Sequence, residues 1–304
     1  MKEQWALRIP VRDGEAVRKM AIIEGILDRT LKPRIENGCL LIPVTAKPCG
    51  ATRTDFTENH AMEELVRHEQ IGGLVILQDD DAAAAEKILA ARPSVHTALF
   101  ATSPIEGEFR TRTFKILAGI ATTKTMYQEY GKRMQIDLNA AYFSARLASE
   151  RQRILAQIHS AEKILDMFAG VGPFPVMFGS RASLVIANDI NPEAVLLMQK
   201  NIRLNRLTNV IPMLGDARNL AEILSPMKLD RIIMNLPMNA PAFLSAAAPL
   251  THPGTIMHLY ALTDSTGEYS EDILRVFPNA RITERMLHSY SPTSWHAVYD
   301  IEIA

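Results

Sequence analysis

Four polar residues, Asp166, Asp189, Asp216 and Asn235, each end or directly follow an apolar segment in the second half of the chain. In open α/β sheets, ligands bind at the carboxyl ends of the strands. Carboxylate and amide oxygens placed there can accept hydrogen bonds from hydroxyl and amino groups of a ligand. The four segment ends therefore predict a nucleoside-binding edge.

A Gly-x-Gly loop follows the first of these segments. Gly170 and Gly172 let the backbone approach a ligand where the loop meets the start of a helix. By itself the pattern fits a tight strand-to-helix turn equally well. The loop lacks the third glycine of the dinucleotide fingerprint, and Asp189 ends the next strand. Together with the other polar strand ends, this combination predicts an adenosyl cofactor.

Each polar strand end also has a simpler interpretation. Asp189 can accept both ribose hydroxyls or cap the helix that begins at Pro192. Asp216 can accept from the adenine amino group or stand in a solvated turn. Asn235 can bind a planar base edge or end its strand in an Asn-x-Pro turn with Pro237. The residues alone leave these alternatives open.

The elements that must position these residues form an alternating pattern from residue 147 onward. Five apolar strands separated by helical stretches, then two strands close together, predict a doubly wound α/β sheet that ends in a hairpin. This is the layout of a class I methyltransferase, a Rossmann-like fold. The predicted strands are 163–167, 184–187, 210–214, 231–234, 255–260, 280–287 and 296–302.

Two smaller segments precede this domain. Residues 1–45, with a helix at Gly14–Asp28 and a strand at Cys39–Pro43, are predicted to form a small N-terminal αβ domain, and the turn-rich residues 46–58 are predicted to be a linker. Residues 60–146 are predicted to form a middle α+β domain, and residues 147–304 the methyltransferase domain. The middle elements are helices at 63–67 and 82–92 and strands at 73–78, 97–100, 110–118 and 122–129.

Composition limits the function classes. With 33 Lys+Arg against 34 Asp+Glu the net charge is −1, so nucleic-acid binding would have to use local patches. Cys39 and Cys49 support neither a disulfide framework nor a four-ligand zinc site, and no metal is expected. The longest apolar stretches are much shorter than the ~18 residues that span a bilayer. A cytoplasmic protein without a membrane span is expected.

The stretch Tyr142–Arg151, the Asp166–Phe174 loop and Asn235-Leu236-Pro237 resemble the archaeal and eukaryotic tRNA (guanine-37 N1)-methyltransferases. The resemblance extends upstream through Ile105–Arg112 and the N-terminal segment, so it covers nearly the whole chain. It implies S-adenosylmethionine as cofactor, tRNA as partner, bound at its anticodon loop and its body, and a monomer. The implied cofactor-binding residues are Arg151, Asp166, Phe168, Gly170, Gly172, Asp189, Ile190, Asp216, Ala217, Asn235 and Pro237.

The resemblance also implies the catalytic residues. Guanine N1 keeps its proton at neutral pH, so methylation needs a base at N1 and a positive donor at O6. The family pattern places Glu150 as the base, Arg110 as the O6 donor and Asn235 at the base edge. Tyr142 would stack on a base and Arg146 would meet a phosphate. In the simpler interpretation, Glu150 is a first-turn helix residue and Arg110 a solvated strand residue.

Three alternatives remain. An aminocarboxypropyl transferase of the wybutosine pathway shares the fold and cofactor, but that branch departs from Asn235-Leu236-Pro237 at this position. A dual enzyme would also methylate a tricyclic guanosine derivative. A non-catalytic tRNA-binding protein would have lost catalytic residues, whereas Glu150 and Asn235 are present.

Overall fold

The structure, a computed structural model, describes residues 2–57, 65–225, 227–291 and 293–304. The chain divides into two compact units, residues 1–66 and 67–304. Within the described ranges, no helix is both long and apolar enough to cross a membrane.

The N-terminal unit is a four-stranded antiparallel sheet with one helix. The sheet order is β2-β3-β1-β4, and its small core contains Ala6, Leu31, Leu41 and Phe56. Leu31, which lies outside the strands, completes this core. The elements are β1 (Lys2–Pro10), α1 (Gly14–Ile23), β2 (Arg34–Glu36), β3 (Cys39–Val44) and β4 (Thr52–Phe56).

The prediction of a linker at residues 46–58 is wrong. Thr52–Phe56 forms β4, which pairs antiparallel with β1 from Lys2 to Ala6. Its Thr-Arg-Thr-Asp sequence lacks the apolar alternation expected of a strand, but backbone pairing and the buried Phe56 hold it in the sheet. The N-terminal unit therefore extends past residue 45. Of the helix predicted at 63–67, residues 63 and 64 lie outside the described residues, and 65–67 are not helical.

The first part of the second unit contains a mixed four-stranded sheet, a helix and a hairpin. The sheet order is β5-β6-β7-β8. The strand predicted at 110–118 begins only at Phe114, so Arg110 lies in the preceding turn. The elements are β5 (His68–Ile71), β6 (Leu74–Leu77), α2 (Ala82–Ala91), β7 (Thr97–Ala101), β8 (Phe114–Gly119), β9 (Lys124–Glu129) and β10 (Lys132–Asp137), with β9 and β10 forming the hairpin.

A seven-stranded sheet follows, in the order β13-β12-β11-β14-β15-β17-β16. Strands β11 to β15 run parallel, and β17 is antiparallel between β15 and β16. The predicted doubly wound sheet with a terminal hairpin is confirmed. The elements are α3 (Ala148–Gln157), β11 (Lys163–Asp166), α4 (Pro173–Phe178), β12 (Leu184–Asp189), α5 (Pro192–Leu204), β13 (Val210–Leu214), α6 (Leu220–Leu224), β14 (Arg231–Asn235), α7 (Leu244–Ala247), β15 (Ile256–Thr263), α8 (Ser270–Val276), β16 (Arg281–Ser289) and β17 (Trp295–Glu302).

The core covers both faces of this sheet. Ile164 and Leu165 are neighbours on β11, are both 0% exposed, and belong to different apolar clusters. Successive side chains of a strand point to opposite faces, so a central parallel strand needs apolar residues at every position. This requirement explains why the sequence shows these strands as continuous apolar runs. Because β11 to β15 run parallel, their carboxyl ends lie at one edge of the sheet.

Residues 67–146 pack into the same unit as the seven-stranded sheet, without a boundary at 146. Asn201 of α5 accepts a hydrogen bond from the backbone N–H of Gln135 at 2.6 Å and donates to the Gln135 carbonyl at 3.1 Å. One apolar cluster combines Leu74 and Met134 with Val176 of α4. The predicted middle and methyltransferase segments therefore share a core.

Candidate functional site

The Gly-x-Gly loop takes a backbone conformation that favours glycine. Gly170 and Gly172 have φ of +56° and +89°. The Gly170 N–H donates to Asp189 Oδ2 at 2.6 Å, and Asp189 Oδ1 accepts from the Asn191 N–H at 2.9 Å. A Cβ at Gly172 would lie 2.9 Å from Cγ of Met198. Asp189 therefore holds the loop, as well as standing where ribose binding is predicted.

Three strand ends carry buried oxygen atoms that no described residue satisfies. They are Oδ2 of Asp166, Oδ1 of Asn188 and Oδ1 of Asn235. Strand β11 lies between β12 and β14, so these residues lie on three neighbouring strands. Unpaired buried acceptors are rare in proteins because each carries a desolvation cost. Their clustering at one edge fits a ligand that supplies hydrogen-bond donors.

Two of the carboxylates at this edge are poorly stabilised as anions. Burial raises the pKa of Asp166 to about 8, against the opposing effect of one hydrogen bond from the Phe168 N–H, with the nearby Asp189 adding repulsion. Burial also raises the pKa of Asp189, despite its backbone hydrogen bonds. No arginine or lysine side chain lowers the pKa of Asp166 or of Asp189. A cationic ligand would favour the ionised form of both groups.

Asp216 differs from the other strand ends because it already has a cationic partner. Its Oδ1 accepts from the backbone N–H of Arg218 at 2.9 Å and from Nε at 3.0 Å, and these contacts lower its pKa. The Arg218 guanidinium lies 5.9 Å from the Phe243 ring centroid, and Phe243 packs edge-on against Phe168. Asp216 therefore also caps its own turn.

The remaining cofactor candidates follow these residues closely. Ile190, next to Asp189, is half-buried, and Ala217, next to Asp216, is buried. The carbonyl of Pro237 accepts from the Leu262 N–H at 2.9 Å, which ties the Asn-Leu-Pro turn to β15. The structure thus brings all the predicted strand-end residues to one edge of the sheet.

Arg151 has a different environment from the predicted one. It is 1% exposed and forms a two-pronged ion pair with Glu129 of β9, with Nε donating to Oε1 at 2.7 Å. Its guanidinium also lies 5.7 Å from the Phe174 ring centroid. These contacts commit Arg151 to joining α3 with the β9–β10 hairpin. Its role toward the cofactor stays a prediction.

Glu150 is buried in the first turn of α3, with 5% of its surface exposed. Arg153 donates to both of its carboxylate oxygens, with Nε at 3.0 Å from Oε1 and 2.9 Å from Oε2. The hydroxyl of Tyr260 donates to Oε1 at 3.1 Å. Desolvation raises the pKa of this hydroxyl well above its usual value, so it remains a donor.

A cleft contains the three residues predicted on the substrate side. Arg110, Tyr142 and Arg146 all line it, together with Tyr290 from the loop between β16 and β17. The Arg110 guanidinium lies 5.6 Å from the Tyr142 ring centroid, and Arg146 pairs with Glu69 at 3.2 Å. Arg110 has φ of +53°, which is uncommon for a large side chain.

The cleft and the cofactor loop are adjacent. A Cβ at Gly170 would lie 3.8 Å from the Tyr142 carbonyl oxygen. Glu150 is absent from the cleft lining. His296 lies near both Tyr260, which donates to Glu150, and Arg110, which lines the cleft. Its ring packs against that of Tyr260, with centroids 5.9 Å apart, while burial and the nearby charges of His288 and Arg110 lower its pKa to about 4.

Sequence reasoning missed several residues around Glu150. Arg153 could have been found, because an acidic and a basic residue three positions apart on a helix face each other. His258, Tyr260, His296 and Asp300 lie on β15 and β17, far from Glu150 in sequence, and only the sheet order brings them near.

Comparison with known proteins gives consistent matches. A family model for the TRM5/TYW2 methyltransferase domain matches residues 125–284, and one for the tRNA methyltransferase 5 N-terminal domain matches residues 6–52. The tRNA (guanine(37)-N(1))-methyltransferase Trm5b of Pyrococcus abyssi is 33% identical over 98% of this chain and 99% of its own.

Solved structures agree with these matches. The crystal structure of Pyrococcus abyssi Trm5b has a TM-score of 0.74 at 31% identity, covering 98% of this chain and 99% of that one. A complex of aTrm5 with tRNALeu has a TM-score of 0.73 at 27% identity, covering 99% and 100%. TYW2 of M. jannaschii with AdoMet has a TM-score of 0.61 at 25% identity, covering 78% of this chain and 100% of that one.

Proposed function

The chain belongs to the TRM5/TYW2 methyltransferase family, and on that premise we propose that it methylates N1 of guanosine 37 in tRNA with S-adenosylmethionine as the donor. The observation that carries the proposal is the match to Trm5b over 98% of the chain, which includes the N-terminal unit. The TYW2 structure covers 78% of the chain. The aminocarboxypropyl reaction is therefore the second candidate.

The strand-end residues fit the adenosyl group by their chemistry. Asp189 would accept the ribose hydroxyls and Asp216 the adenine amino group, and the positive φ of Gly170 and Gly172 supports a close approach of the loop backbone to the ligand. The unpaired oxygens of Asp166, Asn188 and Asn235 add acceptors at the same edge. When bound, S-adenosylmethionine supplies an electrophilic methyl group on a positively charged sulfur.

The chain's own residues must handle the guanine proton. Glu150 accepts the proton from N1 as the N1–methyl bond forms and the methyl–sulfur bond breaks, which leaves neutral 1-methylguanosine and S-adenosylhomocysteine. Arg110 donates to O6, where negative charge accumulates as the proton leaves. The side-chain amide of Asn235, which has an unpaired oxygen, holds the base edge. The resemblance of the Tyr142–Arg151 and Asn235-Leu236-Pro237 segments to the family, together with the chemistry of each group, supports these roles.

Tyr142 and Arg146 contact the nucleotides around the target. Tyr142 is 43% exposed in the cleft, so its ring is free to stack on a base. Arg146, half-exposed beside Glu69, can exchange that carboxylate for a phosphate. The anticodon loop thus binds at the cleft, and the N-terminal unit binds the tRNA body.

The test is nucleoside mass spectrometry after incubation of the protein with unmodified tRNA and S-adenosylmethionine. We expect 1-methylguanosine, and none when the tRNA carries adenosine at position 37. An aminocarboxypropyl adduct on a wyosine precursor, without 1-methylguanosine, would favour the TYW2-type reaction. Tight tRNA binding without any product would favour a binding protein.

The role of the N-terminal unit is tested by deleting residues 1–66. A cut at residue 45 would leave β4 without its partner β1, so the deletion must remove the whole compact unit. We expect cofactor affinity to be retained and the apparent KM for tRNA to rise. An unchanged KM for tRNA would contradict this role.

We also propose that the enzyme acts as a monomer in the cytoplasm, where its tRNA substrate is found. Sedimentation velocity at micromolar concentration, with and without tRNA, would measure the number of protein chains in the complex.

A further inference from the structure

Arg153 lies between two carboxylates from distant parts of the chain. Toward Glu150 it donates from Nε and Nη2, the latter at 2.6 Å from Oε1. Toward Asp300 of β17 it donates from Nη1 at 2.7 Å and Nη2 at 3.0 Å. Side-chain exposure is 16% for Arg153, 6% for Glu150 and 20% for Asp300. One guanidinium is therefore shared by two partly desolvated anions.

A second set of buried groups holds Asp300 from behind. His258 Nδ1 lies 2.6 Å from Asp300 Oδ1, and His258 Nε2 lies 2.7 Å from Nη1 of Arg231. Arginine can only donate, so Nε2 is the acceptor and the neutral His258 donates from Nδ1 to Asp300. Arg231 in turn donates from Nε to Glu162 at 2.8 Å. Burial lowers the pKa of His258, in agreement with a neutral ring.

This sharing matters for Glu150 because an unshared guanidinium would weaken it as a base. A cation that faces one carboxylate favours the ionised form and opposes proton uptake. With Asp300 on its other side, Arg153 balances only part of the negative charge of the two carboxylates. Arg153 can then fix the orientation of Glu150 while Asp300 preserves its ability to accept a proton.

The hydrogen bonds also distinguish the two oxygens of Glu150. Oε1 accepts from Nε and Nη2 of Arg153 and from the Tyr260 hydroxyl. Among the residues that the structure describes, Oε2 accepts only from Nε of Arg153, at 2.9 Å. A carboxylate oxygen has two lone-pair directions, so Oε2 retains one for the proton of N1.

We propose that Arg153 and Asp300 are positioning residues for Glu150: Arg153 orients the carboxylate with Oε2 available, and Asp300 offsets the charge of Arg153 so that Glu150 remains an effective base. The proposal rests on the role of Glu150 in the proposed function. It adds two residues that are not among those lining the cleft.

The decisive measurement is the pH dependence of single-turnover methyl transfer. The charged or titratable groups that face Glu150 directly or through a partner are Arg153, Tyr260, Asp300 and, on the far side of Asp300, His258 and Arg231. Asp300→Asn leaves Arg153 with Glu150 as its one anionic partner. The plateau rate should fall about tenfold and the acid limb should move to lower pH. Arg153→Gln should move the acid limb to higher pH, because two carboxylates then lose their shared cation.

Arg153→Lys keeps the positive charge but loses the planar guanidinium that donates to both carboxylates. This variant replaces Arg153→Gln in the experiment if Arg153→Gln does not fold. Its rate should fall while its acid limb stays near the wild-type position. Opposite shifts of the acid limb for Asp300→Asn and Arg153→Gln are a signature that loss of packing alone does not produce. A wild-type pH profile for folded Asp300→Asn would overturn the proposal.

Glu162→Gln is the matched control. It removes a buried carboxylate from the far end of the same network without touching Arg153. Cofactor and tRNA dissociation constants and the melting temperature are measured for every variant. Equal rate losses in Glu162→Gln and Asp300→Asn, following equal losses of stability, would assign the network to structure alone and overturn the proposal.

The two proposals fail separately. If the wild-type protein forms 1-methylguanosine and Glu150→Gln does not, a normal Asp300→Asn refutes the positioning role alone. If the wild-type protein forms no 1-methylguanosine, the proposed function fails first.

Discussion

Two groups of buried carboxylates in the second compact unit, residues 67–304, have opposite electrostatic environments. Burial raises the pKa of Asp166, at the end of β11, to about 8, and no arginine or lysine contributes to lowering this pKa. Asp300 on β17 is also partly buried, but His258 and Arg153 lower its pKa to about 2. Burial acts in the same direction on both carboxyl groups, so the partners decide the outcome.

The difference separates a site that needs a ligand from a network that does not. At the strand ends, acceptors of Asp166, Asn188 and Asn235 have no described partner. In the network around Arg153, Glu150 and Glu162 each face an arginine within hydrogen-bond distance. A buried polar group without a hydrogen-bond partner lowers stability unless a ligand supplies that partner, whereas a fully hydrogen-bonded network is rigid. The strand ends therefore suit binding, and the network suits orientation.

The largest expected effect is that of Glu150→Gln. The substitution keeps size and hydrogen-bonding capacity but removes the proposed proton acceptor, and a base at N1 is needed in the transition state rather than for binding either ligand. Single-turnover methyl transfer should fall by about two to four decades, with partial recovery at higher pH. Cofactor and tRNA affinities should stay near wild type. A wild-type rate near neutral pH would make Glu150 a structural member of the network.

Arg110→Ala should cost about two to three decades in single-turnover rate, because the developing charge on O6 loses its donor. Unlike Glu150→Gln, it should show no recovery as the pH rises. The matched variant is Arg112→Ala, since Arg112 lines the same cleft but carries no predicted catalytic role. Equal losses in both variants would point to general tRNA binding.

Asp189→Ala should weaken S-adenosylmethionine binding by roughly 1 to 3 kcal/mol, because charge-assisted hydrogen bonds are lost. Asp216→Ala should cost less, because the more exposed Asp216 already pairs with Arg218 at 3.0 Å. Isothermal calorimetry of both variants measures the difference. Wild-type affinity of Asp189→Ala would remove Asp189 from the binding site.

A further expected effect is on the pH dependence of stability. Asp166 has a folded pKa of about 8 and an ordinary value of 3.8, so between these values the folded protein binds more protons than the unfolded one. Its contribution to the free energy of unfolding should therefore decrease as pH rises through that window. Denaturant unfolding without cofactor should show a flatter pH dependence for Asp166→Asn than for wild type. Identical slopes would contradict the raised pKa.

Most of the second unit could be predicted because its central strands are buried on both faces. Strand β13 was predicted with its observed bounds, and β11, β12 and β14 within three residues of theirs. Strand β4 was missed because its polar residues and the preceding Lys47–Gly50 turn resemble a linker. Its pairing with β1 is a long-range backbone contact that leaves no periodic signal.

The site was predictable as a set of positions and less so as a set of contacts. Strand order brings Asp166, Asp189 and Asn235 together, and strand order follows from the fold class. The pairing of Arg151 with Glu129 and of Arg153 with Asp300 joins residues 22 and 147 positions apart. Side-chain partners at such separations depend on packing, and one sequence carries no record of them.

The placement of β17 has a consequence for biosynthesis. Strand β17 inserts between β15 and β16, and it follows every other strand and helix of the unit in chain order. During translation, β15 and β16 leave the ribosome before the strand that separates them, so β15 can pair with β14 but β16 cannot join the sheet until β17 is made. Asp300 is delivered with that strand. The nascent chain can therefore assemble the cofactor edge first. The Arg153 guanidinium beside Glu150 gains its second carboxylate partner, Asp300, only when β17 has been made.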